Sequence, residues 1–489
     1  VGLQYEGEDK RGEGKIKMRE VFLGLDLGTQ GARVVIVDKE GNILSSSEDV
    51  FKREPENPTY WWEVARCLLG SSISRLGKDS RILSLAVTST SGTVVCVDTR
   101  GEPVMPALMY NDPRGAEESK ILNRHLKELT EKLGYKFNAS YALSKILWVK
   151  NNLPDIYERT RFFLSPTDFI NFKLTGRMGI TDHTNALKFG FDLLDYRWQP
   201  EIEQLGIDLF RLPEVLAPGE IIGSVRRELL DEFGIDYDIP VLTGLTDGTS
   251  GQIASGAVRV GESSTTLGTT LVIKGVTSSL IRDPLGRFYS HLHPEKNRWF
   301  PGGSSNVGGE CLEKIFPGEN YKELDKKITG LIPSPLIIYP LVREGERFPF
   351  VNPGARGFVS GSPSSREELY LGYLEGVAYV EKLCYETLSE MGVKTNDTIY
   401  TVGGGSKSLI WLRIRSSVMN KVLKRPVSAT SGMGVAILGA SRTFYDSLDL
   451  AVSRMVRIDV EVEPDRDLVP LYEERYKRFI EILSERGYV

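Results

Sequence analysis

The chain has 489 residues, too many for one ordinary hydrophobic core and suited to two domains of about 200–250 residues each. With 40% hydrophobic and 26% charged residues, its composition is that of an ordinary globular protein. A net charge of −5 gives no electrostatic reason to expect nucleic acid or an anionic membrane as partner, and no run of about 18 apolar residues offers a membrane-spanning helix.

Residues 1–18 are polar and charged, the opposite of a secretory signal. They read as a disordered leader ahead of the folded part, and the protein is expected in the cytoplasm. Val21–Asp26, Val34–Val37 and Ile43-Leu44 are apolar runs separated by turn residues, so the fold is expected to open strand, turn, strand, turn, strand. Trp61–Leu69 has helical spacing; Ile82–Val87 and Val94–Val97 read as strands; Ser144–Asn152 and Thr167–Leu174 read as helices. Alternating strands and helices argue for an α/β fold.

Near residue 240 the pattern restarts. Ile239–Leu245 reads as a strand running into Asp247, a glycine-rich turn and a helix, and Ser263–Lys274 reads as two strands around a tight turn. Leu27-Gly28-Thr29 and Leu267-Gly268-Thr269 both sit between strands, once in each half. Two domains of similar core, 19–240 and 241–489, are therefore expected to face each other. A helix at Leu369–Met391, a strand at Thr398–Val402 and a terminal helix at Leu471–Arg486 complete the second.

Cys67, Cys96, Cys311 and Cys384 stand at no metal-ligand spacing and read as reduced, mostly buried thiols. His291 and His293 can share one side of a strand, but no carboxylate or cysteine cluster accompanies them, so no metal site is read there.

The chemistry concentrates in glycine-rich turns. Asp26, Gly28, Thr29, Gln30, Gly31 and Arg33 place a carboxylate at a strand end beside a turn whose backbone N–H groups can approach phosphate. A carboxylate there would repel phosphate unless it held Mg²⁺. Gly268, Thr269 and Thr270 offer the same apparatus from the other half. Asp247, ahead of Gly248 and Gly251, can accept a proton from a substrate hydroxyl attacking a γ-phosphate. Two further turns, Gly302–Gly309 with Asn306 and Gly403–Trp411 with Gly404, Gly405 and Ser408, suit backbone lying close to a nucleotide, with Trp411 flanking the base. Taken singly, each admits a plainer structural reading: a capped turn, an N-cap aspartate, or a tryptophan packed in the core.

Together these motifs resemble the FGGY family of carbohydrate kinases, within the superfamily of actin, heat-shock chaperones and hexokinase, from about Val21 to Tyr445. The two hairpin turns resemble its two phosphate motifs, Gly403–Trp411 its adenosine motif, and Gly345-Glu-Arg-Phe-Pro349 and Tyr373–Ala378 further signatures. The resemblance implies two actin-like (ribonuclease H-like) domains facing across a cleft for ATP and sugar. It implies Asp26 and Asp247 on Mg²⁺ and Asp247 as base. Gly28, Thr29, Gln30, Arg33, Gly268, Thr269, Asn306, Gly404, Gly405, Ser408 and Trp411 would hold nucleotide. Thr90, Ser91, Asn111 and Asp112, with Asp247, would hold sugar. A homodimer is compatible with it.

Thr88–Gly92 carries neither the Met-His-Gly of xylulokinases nor the Arg-Glu of glycerol kinases. With Thr181–Gly190 and Tyr289-Ser-His291, it is closer to a D-ribulokinase or xylulokinase-like group. D-Ribulose is the expected substrate. D-Xylulose, L-ribulose, glycerol and a non-catalytic nucleotide-driven binding protein remain open.

Overall fold

The computed structural model describes residues 18–489; apart from Met18, the leader lies outside them. Two mixed sheets dominate. The first is built from β1 (Arg19–Leu27), β2 (Gly31–Asp38), β3 (Ile43–Val50), β4 (Ser80–Ser89), β5 (Ile221–Ser224) and β6 (Pro240–Thr246), in the order β5-β6-β4-β1-β2-β3. The second is built from β7 (Ser263–Leu267), β8 (Leu271–Gly275), β9 (Phe288–Leu292), β10 (Trp299–Ser305), β11 (Thr398–Val402), β12 (Val422–Pro426) and β13 (Ile458–Val462), in the order β9-β10-β8-β7-β11-β12-β13.

Read from β3, the first sheet pairs antiparallel, antiparallel, parallel, parallel, antiparallel. Read from β10, the second does the same. The repeat suggested by two Leu-Gly-Thr hairpins is thus a repeat of the whole six-strand pattern. β1 lies inside its sheet and is covered on both faces, which is why Val21–Leu25 is an unbroken apolar run with a glycine. β3 is an edge strand and is polar, Ser45-Ser46-Ser47-Glu48-Asp49.

One face of the first sheet packs Leu23, Leu25, Val34 and Ile36 against α1 (Pro58–Ile73) and α2 (Pro166–Thr175). The other packs Phe22, Val35, Val37 and Ala86 against α3 (Asp247–Ser255) and a helix from late in the chain, Ser431–Thr443. Backbone meets backbone there: a Cβ on Gly24 would run into the Gly432 carbonyl, and one on Gly434 into the carbonyl of Ser250. Only glycine permits these crossings. The second sheet packs against α4 (Arg366–Glu390), α5 (Leu409–Met419) and the C-terminal helix Leu468–Glu485. Within that core Arg415 and Glu381, both fully buried, form a two-pronged ion pair at 2.6 and 2.7 Å.

The boundary expected near residue 240 falls later. β6 pairs in parallel with β4, so Pro240–Thr246 completes the first sheet instead of opening the second. Parallel pairing joins segments far apart in sequence and leaves no local mark. Gly302 and Gly303 also differ from expectation: they lie inside β10, not in a turn, where a Cβ would strike Lys274 or Phe348. Cys96, Cys311 and Cys384 are buried and Cys67 is exposed. No described helix is long and apolar enough to cross a membrane.

Candidate active site

Each hairpin turn closes on its first glycine, the second turn being one residue shorter: Gly28 N–H donates to the Gly31 carbonyl at 2.9 Å, and Gly268 N–H to that of Thr270 at 3.0 Å. Between α3 and the second sheet lies a cavity of about 990 Å³. Its wall includes Asp247 and Gly248 at the start of α3, Lys274 of β8, Gly403-Gly404 after β11, and the Val427–Ser431 segment. A helix N-terminus and glycine backbone facing one cavity favour an anionic ligand.

Asp247 is the first residue of α3, whose N-cap is Thr246, and its carboxylate accepts the Gly248 N–H at 2.6 Å. Burial pushes its pKa up; the Gly248 bond and the charges of Lys274 and Lys188 pull the other way. Asp26 stands across from it at the end of β1. Burial, and next the charge of Asp247, raise Asp26 to about 6, with Arg33 opposing. Lys274 is lowered to about 8 by burial, against the pull of Asp247, and its ammonium donates to the Gly248 carbonyl. Two buried carboxylates, one raised by the charge of the other, beside a lysine form a charged site held out of bulk water.

A prediction follows from that coupling. Removing one negative charge eases ionisation of the other, so Asp247→Asn should bring the Asp26 carboxyl below about 6. A carboxyl-observed NMR titration of the wild type and the variant checks it; an unmoved midpoint would mean that burial alone raises Asp26.

Residues 21–254 match the N-terminal domain, and residues 266–442 the C-terminal domain, of the FGGY family of carbohydrate kinases. The chain belongs to the FGGY family of carbohydrate kinases. A xylulose kinase of Staphylococcus epidermidis is 24% identical over 96% of this chain and 97% of its own length. A gluconokinase of Bacillus subtilis is 25% identical over 95% and 96%. The crystal structure of xylulose kinase from Rhodospirillum rubrum superposes with a TM-score of 0.85 at 23% identity, covering 95% of this chain and 98% of that one. The N-terminal family match ends at residue 254, with α3, in agreement with the later boundary.

Several nucleotide candidates of this FGGY kinase take other places than expected. Trp411, expected beside the base, is 3% exposed and packs in the core, its indole N–H donating to the Leu374 carbonyl at 3.0 Å. Ser408 caps α5 by accepting the Trp411 N–H. Gly405 packs under Leu267, while Gly404 faces the cavity. Asn306 is engaged at both ends: its N–H bonds Glu346 at 2.7 Å and its amide the Gly345 carbonyl at 2.9 Å. Its turn instead props the second phosphate-type turn, Gly309 N–H meeting the Gly268 carbonyl at 2.7 Å. Arg33 pairs with Glu48; Gln30 is exposed, and its carbonyl takes the Phe51 N–H. Thr29 is half-buried beside Gly28, and Thr269 is exposed at its own turn.

On the side of the first sheet, Thr90 and Ser91 follow β4. The Ser91 hydroxyl is buried without a partner. Thr93 takes the Tyr110 N–H at 3.0 Å, tying this loop to the Met109–Arg114 turn. There Asn111 is exposed, while Asp112 is held by Arg114 at 2.6–3.0 Å and shapes the turn. Lys188, His291 and Lys274 were not singled out as site residues from the sequence, yet both lysines act by their charges on Asp247 and on His291. Arg425 was missed too; it bonds the Ser406 carbonyl at 2.8 Å beneath the cavity. A lone lysine in a strand carries no signal that it faces another domain.

Proposed function

We propose that this FGGY kinase transfers the γ-phosphoryl group of ATP to a hydroxyl of a ketopentose, D-ribulose ahead of D-xylulose, in the cytoplasm. The observation that carries the reading is Asp247, a half-buried carboxylate at a helix N-terminus in the wall of the large cavity, directly after Thr246, which pairs with Ser89 at the end of β4. The substrate hydroxyl gives its proton to Asp247 as its oxygen attacks the γ-phosphorus; the bond to the β–γ bridging oxygen breaks and ADP leaves. The two turns at Gly28 and Gly268 and the backbone at Gly404 would cradle phosphates. Asp26 and Asp247 fit Mg²⁺, which takes one or two protein carboxylates and completes its shell with water and phosphate oxygens. When bound, Mg²⁺ would offset the charge building on the phosphates.

For the sugar, support comes from short polar groups. Thr90, Ser91 and Asn111 supply hydroxyl and amide partners, and no imidazole stands in the loop itself. The two pentuloses differ at C3, and a hydroxyl of the wrong configuration leaves a buried partner unmatched, worth about 5- to 150-fold. The ammonium groups of Lys188 and Lys274, whose charges act on Asp247, favour one second reading, an aldonate such as gluconate. A coupled ADP-release assay over D-ribulose, D-xylulose, L-ribulose, glycerol and D-gluconate separates them. D-Ribulose is expected to give the highest kcat/KM; a preference for D-xylulose, a polyol or gluconate would overturn the assignment and leave the kinase family intact.

A further inference from the structure

The loop after β4 carries an unusual support. Lys188 reaches across it, and its ammonium donates to the Ser91 carbonyl at 3.3 Å. Gly92 lies directly beneath the lysine stem with φ +90°; a Cβ there would crowd the Lys188 stem and strike the Ser140 carbonyl. The glycine therefore both allows the turn and clears a path for this side chain. From the other side Lys145, fully buried, donates to the next carbonyl, Gly92, at 3.2 Å, and to Ala139 at 2.7 Å. Consecutive carbonyls of one loop are each held by an ammonium.

The two lysines are not equivalent. Lys145 spends its donors on backbone inside the protein, and burial lowers it to about 7. Lys188 is half-buried, with its ammonium 5.8 Å from the Tyr141 ring centroid, and Ser91 is its one hydrogen-bond partner among the described residues, which leaves donor capacity for further acceptors. Its charge acts on Asp247 and on His291. His291, on β9 of the other domain, is buried, and its Nδ1 has no partner. The Ser91 hydroxyl is also buried without one. Unmatched polar groups from both domains thus gather around Lys188, whose charge also reaches Asp247, and a polyhydroxyl ligand would satisfy them.

We propose that Lys188 contacts the substrate directly, donating to oxygens of the sugar on the carbons next to the accepting hydroxyl, with His291 closing the same subsite from the second domain. This deepens the ketose reading and rests on the loop after β4 being the sugar side of the cleft. Lys145 is a positioning residue that holds the loop from behind.

The test is steady-state kinetics of Lys188→Met and, as a shape-keeping second variant, Lys188→Gln. Each should raise the KM for the sugar by about 10- to 150-fold, the loss of a charged hydrogen bond, with the KM for ATP moving less than about twofold. The ratio of kcat/KM between D-ribulose and D-xylulose should shrink in both, and His291→Asn should shrink it as well. If turnover is too weak to measure, calorimetric titration of the sugar replaces it, with weaker binding expected. An unchanged sugar KM or Kd in a folded Lys188 variant overturns the proposal, as does an equal rise for ATP and sugar. Failure of the ketopentose reading is separate: wild type would then prefer another acceptor, and the same variants measured on that acceptor still decide the role of Lys188.

Discussion

Asp247→Ala should abolish sugar-dependent phosphoryl transfer while leaving ATP binding in place. Loss of a positioned base costs on the order of 10²–10⁴ in rate. Asp247 also carries a structural duty, bonding the Gly248 N–H at the first turn of α3, so the alanine variant combines two losses. Asp247→Asn keeps a side-chain acceptor for that N–H and removes the basicity together with the negative charge. If both variants lose transfer by a similar factor, both still bind ATP by calorimetry and neither shows a raised Mg²⁺ requirement, proton removal is the step affected. Should the asparagine variant turn over near normally, Asp247 is an N-terminal helix residue and the base lies elsewhere.

Asp26→Ala should damage the use of Mg²⁺-ATP more than the affinity for sugar. Even the outer support of a metal site is worth on the order of 10- to 100-fold in metal affinity, and a group in the inner or water-bridged shell should cost at least that. The expected result is a raised Mg²⁺ requirement in the coupled assay, with the sugar KM little changed. Acid should mimic the substitution. Asp26 titrates near 6, so its charge is present above that pH and fades below it, and the Mg²⁺ requirement of the wild type should climb as pH falls through 6. Asp26→Ala should lack that climb. A variant with normal Mg²⁺ dependence and weakened sugar binding would move Asp26 to the sugar side.

How much of this was legible depends on the range of the interactions. The hairpins at Gly28 and Gly268 could be read because β-branched runs and glycine turns act over a few residues, and the repeated tripeptide marked a duplicated sheet. Thr398–Val402 was placed exactly as a strand, and the long α4 helix within a few residues. Asp247 was visible because a carboxylate ahead of glycines at a strand-to-helix junction is a local pattern, and two phosphate-type hairpins in the same chain gave it a use beyond capping a helix. What stayed hidden was whatever needs a distant partner. The parallel pairing of β6 with β4 moved the domain boundary. The contact with Leu374 turned Trp411 inward, and a segment some 40 residues on, Gly345-Glu346, claimed Asn306. Lys188 and Lys274 become site residues only when two domains meet.

The helix Ser431–Thr443 covers one face of the first sheet, although that sheet's last strand ends at Thr246. A ribosome therefore finishes the sheet roughly 185 residues before it makes the lid for it. At synthesis rates of about 5–20 residues per second, the apolar row of Phe22, Val35, Val37 and Ala86 waits on the order of 10–40 seconds for Met433–Leu438. The nascent N-terminal half must spend that interval with an open greasy face, sheltered by a chaperone or at risk of sticking to its neighbours on a polysome.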